Sequence, residues 1–190
     1  MSVVTKGGDH GYTRLYNGEK VPKYHPRIKA IGSVQNLSYA IGKYFYMKKG
    51  SIFDDDIITV MCWLYDLGAY LATPRNTIST KDMIKKTEFT KDKEKSLHEK
   101  IKWFEKEIPK QTCFIIPIGT ELGSLLYEIS GKVRETERII FEAIHENKQE
   151  VNDIMPFINR LSDYFYVFAR YINYKSGHKD IPYVKNKKMI

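Results

Sequence analysis

Apolar residues recur every three or four positions through most of the chain, which is the period of α-helices that bury one face in a core. This pattern predicts five helices. They run from Pro26 to about Lys48, from Asp54 to Pro74, through Leu97 to Ile108, from about Thr120 to Asn147, and from about Asn152–Pro156 to Ser176. Helices of this length joined by short connections pack as an antiparallel bundle, so the predicted fold class is all-α.

The segments between these helices are predicted as loops. The first 26 residues contain four glycines and two prolines, which indicates an ordered glycine-rich loop with a short hairpin at Asn17-Gly18. Residues 75–95 read as a long, partly mobile connection, and residues 112–118 as a short strand weakened by Pro117. We therefore expect one domain, with an N-terminal loop (1–26), a five-helix bundle (27–176) and a C-terminal tail (177–190).

Composition limits the function classes. Hydrophobic residues make up 42% of the 190 residues, which excludes wholesale disorder. No run approaches the ~18 apolar residues of a membrane helix, and the N-terminus lacks a secretory signal, so a cytoplasmic location is expected. The net charge of +8 favours an anionic partner: a nucleic acid, a nucleotide or a phosphorylated ligand. Cys62 and Cys113 lie among apolar residues and are predicted to be buried reduced thiols, with no spacing that supplies a zinc site.

The N-terminal loop is a candidate polyphosphate site. It is not a Walker A loop, yet closely spaced glycines can turn several backbone N–H groups toward one anion. Cations follow along the same segment at Lys6, Arg14, Lys20, Lys23 and Arg27. A flexible basic tail is the alternative interpretation of this composition.

The two C-terminal helices are a second candidate. The fourth helix places four polar residues at helical spacing on one face, namely Ser130, Arg134, Glu137 and Arg138. Asn159 and Asp163 share a face of the fifth helix. The alternative is a surface ladder of Arg–Glu pairs. Glu142 and His145 match a Glu-x-x-His metal pattern, but a di-iron bundle needs a second copy and two more carboxylates, so we interpret this match as chance.

Four motifs together resemble one family, the PduO-type cobalamin adenosyltransferases. They are TKGGDHGYTRLYNGEKVPKYHPRIKAIG at the start, FIIPIGTELGSLL in the middle, VRETER on the fourth helix and INRLSDYFYVFARYIN on the fifth. They span nearly the whole chain in the family's order. The resemblance implies a five-helix bundle that assembles as a homotrimer with active sites between subunits. It also implies transfer of the 5′-deoxyadenosyl group of ATP to the cobalt of reduced cobalamin, with Mg²⁺ on the phosphates and release of triphosphate.

The resemblance also assigns residues. It places the ATP-binding positions at Thr5, Lys6, Gly7, Gly8, Thr13, Arg14, Leu15, Lys23, Arg134, Glu137, Arg138 and Asn159. The predicted catalytic positions are Arg134, Phe114 and Asp163, with the Phe114 ring beneath the corrin. No side-chain nucleophile is needed, because Co(I) itself attacks the ribose 5′ carbon. A reductase and a cobalamin-dependent enzyme are the implied partners, and neither a nucleic acid nor a membrane is expected.

Three positions depart from the family's pattern. Gln35-Asn36 stand where the family has Asp-Glu, and Ser130 and Glu135 each stand where it has arginine. The family's aspartate and arginine form an ion pair across the subunit boundary, so we expect Gln35 and Ser130 to face each other there. An ATP- or cobalamin-binding trimer without turnover is the alternative function. A basic nucleic-acid binder is a third hypothesis, which the lack of a nucleic-acid motif argues against.

Overall fold

The computed structural model describes residues 8–188. Its helices are α1 (Pro26–Lys48), α2 (Asp54–Leu71), α3 (Lys81–Lys86), α4 (Asp92–Lys106), α5 (Glu121–Ile144) and α6 (Lys148–Lys175). Its strands are β1 (Tyr12–Arg14), β2 (Lys20–Pro22), β3 (Ile115–Ile116) and β4 (Ile181–Pro182). Five long helices confirm the all-α bundle. The segment predicted as a mobile connection instead contains the short helix α3, which the Thr80 hydroxyl caps by accepting from Met83 N–H.

The bundle is organised around α6, which packs against α4 and α5, while α1 packs against α2 and α5. The core is rich in aromatic side chains from several helices. Phe104 of α4 stacks on Phe168 of α6 with ring centroids 4.9 Å apart, and Phe53 meets the same Phe168 ring edge-on at 5.0 Å. These rings bury large apolar areas and fix the mutual orientation of the helices.

The start of α6 differs from the prediction. Asn147 caps the helix, since its side-chain oxygen accepts from the backbone N–H groups of Gln149 and Glu150. The helix therefore begins at Lys148, and Pro156 lies inside it rather than at its start. Pro156 and Asn152 are both exposed, so the Asn152 carbonyl that lacks a helical donor lies on the solvent side, where the cost of a helical proline is smallest.

The predicted hairpin is confirmed. β1 pairs antiparallel with β2, and Gly18 takes a φ of +86° in the turn between them. This positive φ favours glycine, which has no Cβ to clash. Tyr16 N–H donates to the Ala72 carbonyl at 2.8 Å, and Asn17 Nδ2 donates to Ser79 Oγ at 3.2 Å. The hairpin is thus docked on the connection that follows α2.

The C-terminal tail is also docked. β4 pairs antiparallel with β3, with Ile116 opposite Ile181, and Tyr183 N–H donates to the Phe114 carbonyl at 2.8 Å. The expected strand over residues 112–118 is reduced to this two-residue pairing. None of the helices within residues 8–188 combines the length and apolarity needed to cross a bilayer.

The prediction of two buried thiols is wrong, because Cys62 and Cys113 are both exposed. Cys62 lies on the solvent side of α2, whereas Val60 and Leu64 on the same helix point into the core. Cys113 lies at a bend just before β3. Apolar neighbours in sequence do not bury a residue whose helical phase, or position in a bend, points it outward.

Candidate functional site

The hairpin brings one group of predicted ATP residues together. Gly8 lies against Lys23, and a Cβ atom at position 8 would lie 3.2 Å from Lys23 Nζ. Lys23 N–H also donates to the Gly11 carbonyl at 2.9 Å. Arg14 and Thr13 lie on β1, where Arg14 Nη1 donates to the Gly18 carbonyl at 2.8 Å. The Leu15 side chain is buried and anchors the hairpin. Thr5, Lys6 and Gly7 lie outside the described residues.

A second group lies on the outer face of α5 and α6. Arg134 and Arg138 are exposed on α5, and Glu137 Oε1 accepts from Asn159 Nδ2 of α6 at 3.1 Å. Within residues 8–188 neither arginine forms an ion pair, so the Arg–Glu ladder considered from the sequence does not form. Two free guanidinium groups beside a fixed amide form a surface suited to phosphate, which arginine binds through two parallel N–H donors.

Asp163 faces a different neighbour. Its Oδ2 accepts from Arg160 Nη1 at 2.9 Å, and Arg160 Nε donates to Glu94 Oε1 of α4 at 3.2 Å. Asp163 lines a groove of about 720 Å³ between α4 and α6, together with Lys102 and Lys106. Asn159 and Asp163 are only one helical turn apart on α6, yet they have different neighbours. Asn159 contacts α5, whereas Asp163 lies on the side of α6 that faces α4.

Phe114 lies on the surface with 83% of its area exposed. The pairing of β3 with β4 and the bond from Tyr183 N–H hold the backbone there. A core position for this ring is excluded. Ile116, Ile181 and Tyr183, in and beside the same β3–β4 pairing, are exposed as well, so Phe114 belongs to an apolar surface of the kind that marks a binding site.

Asn173 shapes the turn that follows the Phe114 segment, a role that the sequence analysis did not identify. Its Oδ1 accepts from both the backbone N–H and the hydroxyl of Thr120, each at 2.9 Å. Its side chain also fills the space that a Cβ atom at Gly119 or Gly123 would take. Asn173 thereby fixes the turn between the Phe114 strand and α5. The two glycines around a helix-capping threonine were the signal in the sequence.

Ser130 lies one turn before Arg134 on α5, at the end of that face which turns into the core. Its side chain is buried, and its hydroxyl donates to the Ser162 carbonyl of α6 at 2.8 Å. Gln35 is exposed on α1. The Ser130 hydroxyl is thus satisfied within its own chain, because a short side chain lets α5 and α6 approach closely.

The clearest pKa shifts belong to buried phenols rather than to the two candidate surfaces. Burial raises the pKa values of Tyr44 and Tyr164, with a further contribution from the nearby carboxylates of Asp54 and Asp56 respectively. Burial also raises the pKa of Tyr127 to about 12. These phenols stay protonated across the physiological range and contribute packing rather than acid–base chemistry.

Known proteins resemble this chain over its whole length. Residues 3–172 match the cobalamin adenosyltransferase family model. The human corrinoid adenosyltransferase MMAB is 32% identical over 97% of this chain and 74% of its own. The Bacillus subtilis corrinoid adenosyltransferase is 30% identical over 98% of this chain and 94% of its own. The chain belongs to the cobalamin adenosyltransferase family.

Comparison of the fold with solved structures leads to the same family. A variant of the PduO-type ATP:corrinoid adenosyltransferase from Lactobacillus reuteri, complexed with cobalamin and ATP, superposes with a TM-score of 0.81. It is 31% identical to this chain, and the match covers 96% of this chain and 99% of that one. The bundle described above is therefore the fold of the PduO-type enzymes.

Proposed function

We propose that the protein is an ATP:corrinoid adenosyltransferase, which transfers the 5′-deoxyadenosyl group of ATP to the cobalt of cob(I)alamin and releases triphosphate. The observation that carries this proposal, beyond family membership, is the exposed Phe114 ring, whose backbone is held by the adjacent β3–β4 pairing. In the proposed complex this ring lies against the lower face of the corrin.

The reaction is a displacement at the ribose 5′ carbon. The electron pair of Co(I) forms the Co–C bond while the C–O bond to the triphosphate breaks, and the leaving oxygen takes the negative charge. We propose that Lys23 of one subunit and Arg134 and Arg138 of a neighbouring subunit stabilise that charge. The rest of the acceleration comes from holding cobalt and carbon in line.

We propose that Mg²⁺ is held mainly by the phosphates of ATP, where it neutralises charge on the leaving group. Mg²⁺ usually keeps several waters and takes one or two carboxylates besides substrate phosphates. In the described part of the chain no group of three or more His, Cys, Asp or Glu side chains could hold a metal.

We also propose a homotrimer whose active sites lie between subunits. Within one chain the hairpin docks beside the start of α6, where Arg27 pairs with Glu150, whereas the Phe114 segment lies at the other end, where Pro109 contacts Arg170. These ends are separated by roughly 20 residues of helix, or about 30 Å. Reacting atoms must approach within about 3.5 Å, and this separation supports a site in which a neighbouring subunit supplies the hairpin that holds the nucleotide.

Co(I) must be generated from Co(II), so the function requires a one-electron donor, and we propose a reductase as a partner. Phe114 assists this step because a bulky ring can exclude the lower axial ligand, which makes the cobalt easier to reduce. A cobalamin-dependent enzyme that receives the product and a cytoplasmic location remain predictions from the sequence.

The direct test is to incubate the protein with ATP and chemically reduced cobalamin and to measure adenosylcobalamin and triphosphate. We expect equal amounts of the two products. ATP or cobalamin binding without either product would instead support the alternative of a binding trimer without turnover.

A further inference from the structure

A buried ion pair joins three parts of the chain beneath the hairpin. The Glu150 carboxylate, in the first turn of α6, has no exposed surface and pairs with Arg27 Nη2 of α1. Its other oxygen accepts from the backbone N–H of Arg75 at 2.8 Å, in the connection after α2. Arg27 Nη1 also donates to the Leu71 carbonyl at 3.2 Å. One carboxylate therefore holds α1, α6 and the α2–α3 connection together.

The hairpin depends on the same connection. Its tip is bonded to Ala72 and to Ser79, on either side of Arg75. Its second strand leads within five residues to Arg27. Leu15 of the hairpin lines a small cavity of about 190 Å³ with Arg27, Arg75 and Glu150. Glu150 thus holds both the chain that follows the hairpin and the surface on which the hairpin docks.

The Arg75 side chain extends this network. Its guanidinium donates to the Thr73 and Thr87 carbonyls at 2.7 and 2.9 Å and lies 3.8 Å from the Tyr70 ring centroid. The Tyr70 hydroxyl donates to Asp153 of α6 at 2.9 Å. The surface on which the hairpin docks is therefore bonded to α6 at two points. The Arg75 backbone N–H donates to the Glu150 carboxylate, and the Tyr70 hydroxyl donates to the Asp153 carboxylate.

An ion pair of this kind is poorly explained by stability alone. Burying two charges has a large desolvation cost, and apolar side chains of similar volume are often equally stabilising. What apolar replacements cannot reproduce is the fixed direction of the bonds from Arg27 and from the Arg75 N–H. The network specifies a geometry, and the element whose position it specifies is the hairpin that carries Thr13, Arg14 and Lys23.

We propose that Glu150 is a positioning residue for ATP: it fixes the nucleotide-binding hairpin on the bundle through Arg27 and Arg75. This inference rests on the proposed function for its consequence in catalysis, but its structural part can be measured separately. Glu150 contacts no substrate, so it acts by keeping the hairpin in its binding geometry.

The first test is Glu150→Gln, which keeps the shape and removes the charge. We expect the KM for ATP to rise at least about tenfold, with the KM for the corrinoid and kcat changed less than about twofold, because hairpin placement affects nucleotide binding. Glu107→Gln, which removes the exposed ion pair with Lys175, is the matched control and should leave both KM values unchanged. A lower melting temperature with an unchanged KM for ATP would overturn the proposal.

The second test separates geometry from stability. In Arg27→Met/Glu150→Leu, apolar packing should recover the melting temperature, but Arg75 N–H still lacks its acceptor, so the KM for ATP should stay high. Recovery of both the melting temperature and the KM for ATP would mean that the Arg27–Glu150 ion pair has only a structural role. Should Glu150→Gln fail to fold, Arg27→Lys keeps the charge, removes the two-pronged bonding to Leu71 and Glu150, and gives the same expectation.

Hydrogen exchange tests the anchor without any reaction. The backbone N–H groups of Tyr16 and Lys23 are bonded in the docked hairpin, so Glu150→Gln should speed their exchange at least about tenfold while amides in the middle of α5 keep their rates. If Glu150→Gln speeds this exchange but the wild-type protein makes no adenosylcobalamin, Glu150 still holds the hairpin and the proposed function is rejected. Unchanged exchange would reject the anchor.

Discussion

Phe114 exposes most of its ring although a phenylalanine ordinarily lies in a core. Truncation to alanine should therefore leave the melting temperature of the free protein and its ATP affinity nearly unchanged. Activity that starts from Co(II) should fall at least about tenfold, or about 1.4 kcal/mol in the barrier, because water or the corrinoid's own base can then reach the metal. Activity that starts from pre-reduced Co(I) should fall less.

The matched control for Phe114 is Phe104→Ala. Phe104 is fully buried against Phe168, so its truncation should cost roughly 3–5 kcal/mol of folding free energy and lower both activities together. If Phe114→Ala behaved like this control in thermal denaturation and in both assays, the ring would have no role at the corrin.

Arg134 offers a second single-residue prediction. Its guanidinium is exposed, and within the described residues it forms no ion pair, so it is available to a phosphate. Charge-assisted hydrogen bonds are worth roughly 1.5–3 kcal/mol, so Arg134→Ala should lower kcat/KM for ATP at least tenfold with the fold intact. Lys132→Ala removes a cation on the same helix that pairs with Glu128 and should have little effect. Equal kinetics in the two variants would remove α5 from the nucleotide site.

At single positions the sequence predicted charge and motif better than exposure. The shared outer face of Arg134 and Arg138 on α5 followed from helical spacing. The burial of Ser130 and the exposure of Cys62 did not, because both depend on the rotation of a helix against its neighbours. Such rotations are set by the packing of whole faces and cannot be read from one residue's local neighbours.

The turn into α5 has no room for one additional carbon atom at Gly123. Because Asn173 fills the space above Gly123, Gly123→Ala should destabilise the protein by about 1–3 kcal/mol through overpacking. Gly131→Ala in the same helix is the control. Nothing lies within 4 Å of a Cβ atom there, so this change should stabilise the helix by about 0.5–1 kcal/mol.

A double-mutant cycle decides whether Asn173 causes the effect. Asn173→Ser removes the overlap and also one acceptor for Thr120, so each single change should be destabilising while the pair with Gly123→Ala should cost less than their sum. Thermal denaturation measures all four states. Strict additivity would mean that Gly123 is required for another reason.

Helix boundaries were predicted where capping residues are distinctive and missed where they compete. His25-Pro26 and Thr120 mark the starts of α1 and α5 in sequence and in structure. At α6 the interior proline gave a stronger signal than the Asn147 cap, which lies nine residues earlier. A proline on the exposed side of an otherwise well-packed helix is tolerated, so the Asn147 cap rather than Pro156 sets that boundary.

On the scale of the whole molecule, the two predicted ATP-binding surfaces lie on different parts of the chain. The hairpin docks on the α2–α3 connection, whereas Arg134, Arg138 and Asn159 lie along α5 and α6. No described hydrogen bond or ion pair joins the hairpin to that face. Sequence motifs identified both surfaces, but only the arrangement of copies in an assembly determines which hairpin meets which helical face.

The proposed trimer therefore predicts complementation between two inactive variants. Lys23→Ala impairs the hairpin half of a site and Arg134→Ala the helical half. In a closed ring where each hairpin meets the next subunit's helices, every mixed trimer contains one site with both halves intact. Random equimolar assembly makes about three quarters of the trimers mixed, so activity per subunit should recover to about one quarter of wild type.

Co-expressing the two variants and purifying all the trimers together tests this expectation, with adenosylcobalamin formation as the measurement. Mixing the two purified trimers without subunit exchange is the control, and it should give only the average of the separate low activities. The same low average after co-expression, with mixed trimers verified by mass, would mean that each hairpin serves the helices of its own chain. The hairpin and the Arg134 face would then have to meet within one subunit, although no described hydrogen bond or ion pair joins them there.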